Sequence, residues 1–222
     1  MISETLIRIV PEKAEITVEQ RRSNVVCRKQ VTPEALARCF LQSKFDDEVH
    51  HSGLLPEGCI TMLDSVKEST YFLHYTAPRA DITYCGTEYI DFPLPRMIFS
   101  LRYLKEERKV AGCRLCVIPP SRISMDMPTY YYPFSNVGDT NGLICLGNNA
   151  LPVYPDPARL STLPGFILRL PNNNDHYNRE HNKLQMEYRD LLEHLKDKEP
   201  EYYYSDILIP NNKTLNNFIV GR

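Results

Sequence analysis

The amino-acid sequence predicts an α+β fold in which an antiparallel β-meander packs against helices. Two observations lead to this prediction. Residues 58–118 consist of short strand-like runs whose connections are too short for the crossovers that a parallel sheet requires. Residues 33–43 and 178–198 instead have the apolar spacing of amphipathic helices.

The first 30 residues have the pattern of short strands bounded by turns. A helix is expected to begin at Pro33, because Thr32 supplies a capping hydroxyl and proline suits the first helical position. We expect residues 1–30 to be a β-rich N-terminal extension of one domain that spans residues 1–222. The predicted strands of this extension are residues 6–10, 14–18 and 24–29.

The central strands form the predicted meander. Tyr71, Leu73 and Tyr75 alternate along one of them and would share a face. The clearest hairpin pairs residues 96–104 with 109–118 through a short charged connection. The other strands are predicted at residues 59–66, 70–76, 82–84 and 89–91.

Beyond the meander the pattern changes. Residues 121–175 contain many Pro and Asn residues and little periodicity, and a long irregular segment of this kind is often functional. Residues 54–198 are the expected core, and residues 199–222 are expected to form a docked strand or extended tail. The apolar stripe of the helix predicted over 178–198 consists of Leu184, Tyr188, Leu191, Leu192 and Leu195.

The composition argues against several functional classes. Lys and Arg number 26 against 28 Asp and Glu, so the net charge of −2 gives no electrostatic reason to expect nucleic acid or an anionic membrane as a partner. Seven cysteines are an odd number for a disulfide scaffold, which favours a reducing cytoplasm. Because the sequence has neither a signal-peptide pattern at its start nor an apolar stretch of membrane-spanning length, we expect a soluble protein.

Cys145 occupies the most informative part of the irregular segment. Asn141-Gly142 predicts a turn, and Leu143 and Ile144 predict a short strand that ends at the cysteine. The chain then enters a loop at once. A thiol in this position is accessible to a large partner. The alternative is that Cys145 is a small apolar residue that anchors the loop.

This stretch resembles the active-site segment of ubiquitin-conjugating enzymes. Gly142 to Leu146 matches their Gly-x-Ile-Cys-Leu element. The similarity is closer to the prokaryotic ubiquitin-conjugating-enzyme-like family D, which includes protein B of the PRTRC system. Tyr130 to Val137 fits its Tyr-x-x-Pro-Phe-x-Asn-Val approach, and Cys145 to Asn148 fits its Cys-Leu-Gly-Asn exit. The similarity extends over about residues 54–176.

The resemblance implies a ubiquitin-conjugating-like core and a function. Cys145 would accept a ubiquitin-like modifier as a thioester and transfer it to an amine. Asn136 would donate a hydrogen bond to the oxyanion, and His176 would handle the proton, with Asp175 as a neighbour. The implied partners are the modifier, an adenylating activating enzyme and an associated metallopeptidase. The chemistry at Cys145 needs no cofactor or metal.

The sequence departs from the family at one motif. Phe134-Ser135 stand where the eukaryotic enzymes have His-Pro, and Asn136 is one position further from the cysteine than in the usual pattern. Asn148 and Asn149 are alternative amide donors. Two other functions stay open: a non-catalytic scaffold with the same fold, favoured by the missing His-Pro, and a cysteine hydrolase.

The remaining candidates are better explained by packing or solvation. Cys113 and Cys116 have CxxC spacing but belong to a predicted strand, where positions three apart face opposite sides, so neither zinc binding nor redox chemistry is expected. Packing is also expected to explain the six cysteines other than Cys145. A solvated loop is expected for His50-His51, and surface or packing roles for His181, His194 and the tyrosine triplets 130–132 and 202–204.

Overall fold

A computed structural model describes residues 3–13, 15–22, 25–42 and 53–221. The chain divides into two compact units, residues 1–51 and 52–222, and each has its own sheet. The division lies close to residue 54, where the core was predicted to begin. That the two units act together as one domain over 1–222 stays a prediction.

The N-terminal unit contains an antiparallel three-stranded sheet and one helix. Its elements are β1 (Ser3–Val10), β2 (Glu15–Arg22), β3 (Val25–Val31) and α1 (Pro33–Gln42), and the sheet order is β1-β2-β3. The Thr32 hydroxyl accepts a hydrogen bond from the Ala35 backbone N–H at 3.2 Å and caps α1 as predicted. The Glu19 carboxylate on β2 binds the Arg28 guanidinium on β3 at 2.7 Å. The three predicted strands and the helix are thus confirmed.

The second unit contains a six-stranded sheet and a separate two-stranded hairpin. The strands of the whole unit are β4 (Cys59–Asp64), β5 (Glu68–Tyr75), β6 (Arg79–Tyr84), β7 (Thr87–Pro93), β8 (Met97–Leu104), β9 (Lys109–Val117), β10 (Pro128–Tyr130) and β11 (Pro210–Thr214). The sheet order is β11-β10-β9-β8-β5-β4 and every pairing is antiparallel, whereas β6 and β7 pair with each other as a separate hairpin. The fold is therefore mixed α+β with mostly antiparallel sheets, and the predicted hairpin of β8 and β9 is confirmed.

Helices are few and short in this unit. They are α2 (Leu163–Leu168), α3 (Tyr188–Leu195) and α4 (Leu215–Val220), accompanied by 3-10 turns at Pro157–Thr162 and Arg179–His181 and a π-helical turn at Tyr203–Ile207. Within the part of the chain that the structure describes, no helix is long and apolar enough to cross a membrane.

Two hydrophobic clusters cover the two faces of the large sheet. The larger one includes Phe99 and Leu101 of β8 together with residues of α2 and α3. The smaller one includes Ile98 of β8, Phe72 of β5 and Phe218 of α4. Because β8 is buried on both faces, its sequence is apolar without interruption from Met97 to Phe99 instead of alternating.

The helix predicted over residues 178–198 is wrong in its first half. Only Tyr188–Leu195 is α-helical. The Asn178 side chain caps a short 3-10 turn, and the Asn182 amide binds backbone atoms of the same loop, accepting from Met186 N–H at 3.2 Å. Asparagine side chains compete with the helical hydrogen-bond pattern in this way, and so Leu184 is not part of the buried stripe.

The C-terminal tail contains more regular structure than predicted. A docked strand is present as β11, but helix α4 was not foreseen. The Thr214 hydroxyl accepts from the Asn217 N–H, and the Asn217 side chain accepts from the Thr214 N–H, which forms a capping box. In the preceding π-helical turn, the buried Tyr203 hydroxyl donates to the Pro93 carbonyl at 2.8 Å.

The Arg96 side chain joins β5 to the segment that follows β9. Its Nε donates to Nε2 of His74 on β5 at 3.3 Å, and its Nη1 donates to the carbonyls of Pro119 and Ser121 beyond β9. Since Nε2 of His74 accepts this hydrogen bond, the imidazole must be neutral there. Burial lowers the pKa of His74, and the Arg96 cation lowers it further.

We predict that the second unit loses stability as pH falls below about 6.5, where an unfolded histidine begins to take up a proton. The folded His74 has a lowered pKa, so the unfolded state binds more protons, and the free energy of unfolding falls until pH reaches that lowered value. Burial also lowers the pKa of His181, partly opposed by Asp139, so His181 adds to the effect.

The measurement is urea unfolding between pH 5.5 and 7.5, followed by tyrosine fluorescence. All 14 tyrosines lie between residues 71 and 204 and there is no tryptophan, so this signal reports only the second unit. His74→Gln keeps a hydrogen-bond acceptor without a titrating group and is expected to reduce the pH dependence. An unchanged dependence in this variant would contradict the role of His74.

Candidate functional site around Cys145

Residues 142–144 lie against the edge of β9 and lead directly to Cys145. The Leu115 N–H of β9 donates to the Gly142 carbonyl at 2.9 Å, and the Ile144 N–H donates to the Cys113 carbonyl at 2.9 Å. The short strand predicted before the cysteine is thus present only as isolated β-bridges, of Leu143 with Arg114 and of Ile144 with Val137. These contacts connect the segment before Cys145 to the central sheet.

The same residues pair on their other side with residues 136–138. The Gly138 N–H donates to the Leu143 carbonyl at 2.8 Å, and the Cys145 N–H donates to the Asn136 carbonyl at 2.8 Å. The turn between the two arms is closed by the Gly142 N–H, which donates to Gly138 at 2.9 Å. We call residues 136–145 the cysteine hairpin.

Gly142 is required for the close approach of this hairpin to β9. Its φ is +68°, in the left-handed region that favours glycine. A Cβ at this position would lie 2.2 Å from the Leu115 carbonyl oxygen. Both the conformation and the contact therefore exclude other residues unless the hairpin moves.

All seven cysteines have free thiols, and Cys145 is exposed. Cys113 and Cys116 are buried, and burial raises the pKa of Cys113 to about 12 and that of Cys116 still further. These two residues face the larger and the smaller hydrophobic cluster respectively, as expected for a strand. The expectation that packing accounts for all six other cysteines is wrong, because Cys27, Cys39 and Cys85 are also exposed.

Asn136 lies next to Cys145 in the hairpin, with its side-chain amide bound to another segment. Its backbone adopts a left-handed φ of +63°. Its Nδ2 donates to Asn172 Oδ1 at 3.1 Å and to the Pro171 carbonyl at 3.4 Å. Both amide hydrogens are thus occupied, and donation to an oxyanion at Cys145 requires one of them to be released.

His176 belongs to a loop that contacts Asn136 directly. The Asn136 N–H donates to the Asp175 carbonyl at 2.9 Å. The Asp175 carboxylate accepts from Asn173 at 2.9 Å and is not hydrogen-bonded to His176. The imidazole is exposed, and within the described part of the chain it has no hydrogen-bond partner, so it is free to meet an incoming group.

Asn172 organises this loop and was not singled out from the sequence. Its side-chain oxygen accepts from Asn136 and from the Ser135 hydroxyl, the latter at 3.3 Å. Its backbone N–H donates to the Thr83 carbonyl at 2.8 Å, and its carbonyl accepts from the Cys85 N–H at 3.0 Å. The only sequence signal for this role is the Asn172-Asn173-Asn174 run, which does not distinguish its three members.

A small cavity of about 30 Å³ lies beside the hairpin and is lined by Cys145, Asn136 and Asn172. Its other walls include the buried rings of Phe134 and Tyr188. The cavity is large enough for one or two water molecules and much smaller than a pocket for a small-molecule substrate. Chemistry at this thiol therefore requires a partner that approaches from the surface.

The structure thus brings together Cys145, Asn136 and the loop that carries His176. Of the two alternative amide donors, Asn149 has one amide hydrogen engaged, because its Nδ2 donates to the Leu146 carbonyl at 2.9 Å, and a second hydrogen left over. The Asn148 side chain is exposed and makes no hydrogen bond to the described residues. Both residues therefore keep an amide donor within four positions of Cys145 in the chain.

Other sequence candidates have structural roles. His181 is buried and stacks on Tyr131 at 4.1 Å, and His194 is hydrogen-bonded to the Tyr202 hydroxyl at 3.0 Å. Tyr203 lies in the core. His50-His51 lies outside the described residues. In the ranges that are described, no three His, Cys, Asp or Glu side chains are grouped as in a metal site.

Comparisons of this chain with protein families, with curated proteins and with solved structures find no match.

We predict that Gly142→Ala destabilises the second unit by more than about 1 kcal/mol, since it adds both a strained φ and a clash with Leu115. Gly86→Ala is the matched control, because Gly86 has a φ of +81° but open space around its Cβ position. Urea midpoints from tyrosine fluorescence give both values. Equal losses in the two variants would show that the contact with Leu115 contributes nothing.

Proposed function

We propose that this chain is a ubiquitin-conjugating enzyme of the bacterial type, which carries a ubiquitin-like modifier as a thioester on Cys145 and transfers it to an amine. The observation that carries the proposal is the position of Cys145. Its thiol is exposed at the end of a hairpin fixed to the central sheet, in the sequence context that resembles this family. The fold supports it at a coarse level, since an antiparallel meander packs on helices.

The shape of the site supports a protein substrate over a small molecule. The cavity beside Cys145 admits no more than one or two waters. A flexible protein C-terminus needs no deep pocket, because its carbonyl can be brought to an exposed sulfur along the surface. This feature also argues against the cysteine hydrolase of a small substrate.

The proposed reaction has two steps. The Cys145 thiolate attacks the carbonyl carbon of the modifier's C-terminus, which is bound as a thioester to the activating enzyme, and the cysteine thiolate of that enzyme leaves. An amine then attacks the new thioester, and the carbon–sulfur bond to Cys145 breaks. Asn136 would stabilise the oxyanion and His176 would take the proton of the amine.

Phe134 and Ser135 can replace the buttressing role of the missing His-Pro. The Phe134 ring is buried and packs against Tyr203 and Tyr188. The Ser135 hydroxyl binds Asn172, which also holds the Asn136 amide. An apolar anchor and a hydroxyl thus fix the chain just before Asn136 without an imidazole.

A non-catalytic scaffold on the same fold is the alternative, and one observation favours it. Both amide hydrogens of Asn136 are already bound to residues 171–172, as expected for a residue whose function is structural. In that case the thiol of Cys145 would accept no modifier.

The proposed partners follow from the reaction. The chain would receive the modifier from an adenylating enzyme, and a metallopeptidase would remove the modifier from its targets. We place the protein in the cytoplasm, since a reducing compartment preserves the thiolate that the reaction needs. All seven cysteines being free thiols supports that placement.

We predict that Cys145 forms a covalent adduct when the protein is incubated with ATP, a ubiquitin-like modifier and the adenylating enzyme that activates it. The adduct appears on a non-reducing gel and disappears with reductant. Cys145→Ala abolishes it, and Cys145→Ser gives an adduct that resists reductant, because an oxyester replaces the thioester. Cys85→Ala, which removes another exposed thiol, is the matched control and loads normally.

If no adduct forms with partners that are shown to be active, the enzyme proposal is wrong. Retained binding of the modifier, for example in a pull-down, would then support the scaffold.

We predict that Asn136→Gly loads normally but transfers the modifier to free lysine about 100-fold more slowly, the usual effect of losing one oxyanion donor. Glycine accepts the left-handed φ of +63°, so the variant removes the amide and keeps the backbone conformation. Single-turnover discharge is the measurement. A normal rate here with a slow rate in Asn148→Ala would assign the donor role to Asn148.

A further inference from the structure

A second and larger cavity, of about 200 Å³, lies beside the cysteine hairpin in the second unit. Cys145 does not line it. The two cavities share three wall residues, Leu115, Tyr132 and Val137. Residues of β11 and α4 complete the larger one, so it lies toward the smaller hydrophobic cluster, whereas the cavity beside Cys145 lies toward α2 and α3.

Two cations line this cavity. The Arg114 guanidinium is half-buried, lies 4.9 Å above the Phe218 ring and donates one hydrogen bond to the Phe218 carbonyl at 3.0 Å. The Lys213 ammonium donates to the Thr140 carbonyl at 2.7 Å. Neither cation forms an ion pair with any described residue. Each has N–H donors left over, since guanidinium carries five and ammonium three.

Among the described residues, Asp139 is the one carboxylate in the lining, and it lies 3.6 Å from the His181 imidazole. About half of its side chain is exposed to solvent. Two cations against one solvated carboxylate leave the lining with a net positive charge. A buried or half-buried cation without an anionic partner is costly, so a bound anion would be stabilised here.

Two side-chain amides of the cavity lining, those of Asn211 and Asn217, also have hydrogen-bond donors available. The Asn211 oxygen accepts from Thr129 Oγ1 at 2.8 Å, and the Asn217 oxygen accepts from the Thr214 N–H at 2.9 Å. These contacts fix which end of each amide is oxygen. The two NH₂ groups have no acceptor among the described residues. The oxygen of each amide is therefore engaged, and each NH₂ group is available to a bound acceptor.

We propose that this cavity is a binding site for a small oxyanion, a phosphate or carboxylate group, held by Arg114 and Lys213 with Asn211 and Asn217 as neutral donors. Guanidinium is the side chain best matched to the two oxygens of such a group. The volume suits a small molecule and excludes a polymer. The site is independent of the function proposed for Cys145.

A bound anion would also affect the cysteine hairpin. Thr140 of its turn binds Lys213, and Val137 and Gly142 line the cavity. A ligand held by Lys213 and Arg114 therefore joins the turn of the hairpin to β9 and β11. Slower amide hydrogen exchange at Ile144 and Cys145 is expected in the presence of the anion.

The test is a calorimetric titration of the full chain, in a phosphate-free buffer, with inorganic phosphate and separately with succinate. Sodium chloride at matched ionic strength is the blank. We expect saturable binding of at least one anion. Arg114→Gln and Lys213→Met each weaken it at least tenfold, whereas Arg122→Gln, which removes an exposed cation outside the cavity, leaves it unchanged.

The outcomes separate the possibilities. Binding of phosphate alone assigns a phosphate-bearing ligand, and binding of succinate alone assigns a carboxylate. Absence of saturable binding for both anions overturns the proposal, as does equal affinity in wild type and Lys213→Met. Lys213→Met decides the question if Arg114→Gln proves unfolded, because the hydrogen bond that the lysine makes to Thr140 is exposed to solvent.

Discussion

The contact between Gly142 and the backbone of Leu115 determines where the Cys145 sulfur lies. Without a side chain, residue 142 approaches the β9 carbonyl closely enough for the following residues to continue the sheet. At Cys145, three residues after Gly142, the pairing with β9 has ended, while the Cys145 N–H is still bound to the Asn136 carbonyl. The thiol is therefore exposed, and the backbone that carries it is hydrogen-bonded within the hairpin.

A second constraint comes from Asn172, which joins segments that are far apart in sequence. It connects the β6–β7 hairpin, through Thr83 and Cys85, to the chain at Ser135 and Asn136. These contacts hold the chain before the cysteine hairpin without an imidazole. They also explain why Asn136 tolerates a left-handed backbone, since its N–H, carbonyl and amide are all bound.

The strands were predictable because their signal is local. Alternation at Tyr71, Leu73 and Tyr75 and the uninterrupted apolar run of β8 both follow from which faces of the sheet are buried. The helix over 178–198 was predicted too long, because the apolar spacing around Leu184 resembles a helix. The side chain of Asn182 instead binds the backbone of its own loop. Helical periodicity does not reveal that competition.

The candidate site was predictable only in part, for a related reason. Cys145 and Asn136 belong to one continuous motif, and their pairing follows from the turn at Asn141-Gly142. The role of Asn172 depends on contacts more than 35 residues away in sequence, with Thr83 and Asn136, and no local pattern encodes them. Cys85 is exposed in the turn between β6 and β7, where its φ is +46°, although packing had been expected to explain it.

The alternation of β9 gives the two sides of the cysteine hairpin different surroundings. Cys113 and Leu115 face the larger cluster, whereas Arg114 and Cys116 point the other way. Any segment added to this edge must therefore border two environments, an apolar one beside α2 and α3 and a cationic one beside α4. The cysteine hairpin separates these two environments, with its turn lining the cationic cavity and Cys145 lining the apolar one.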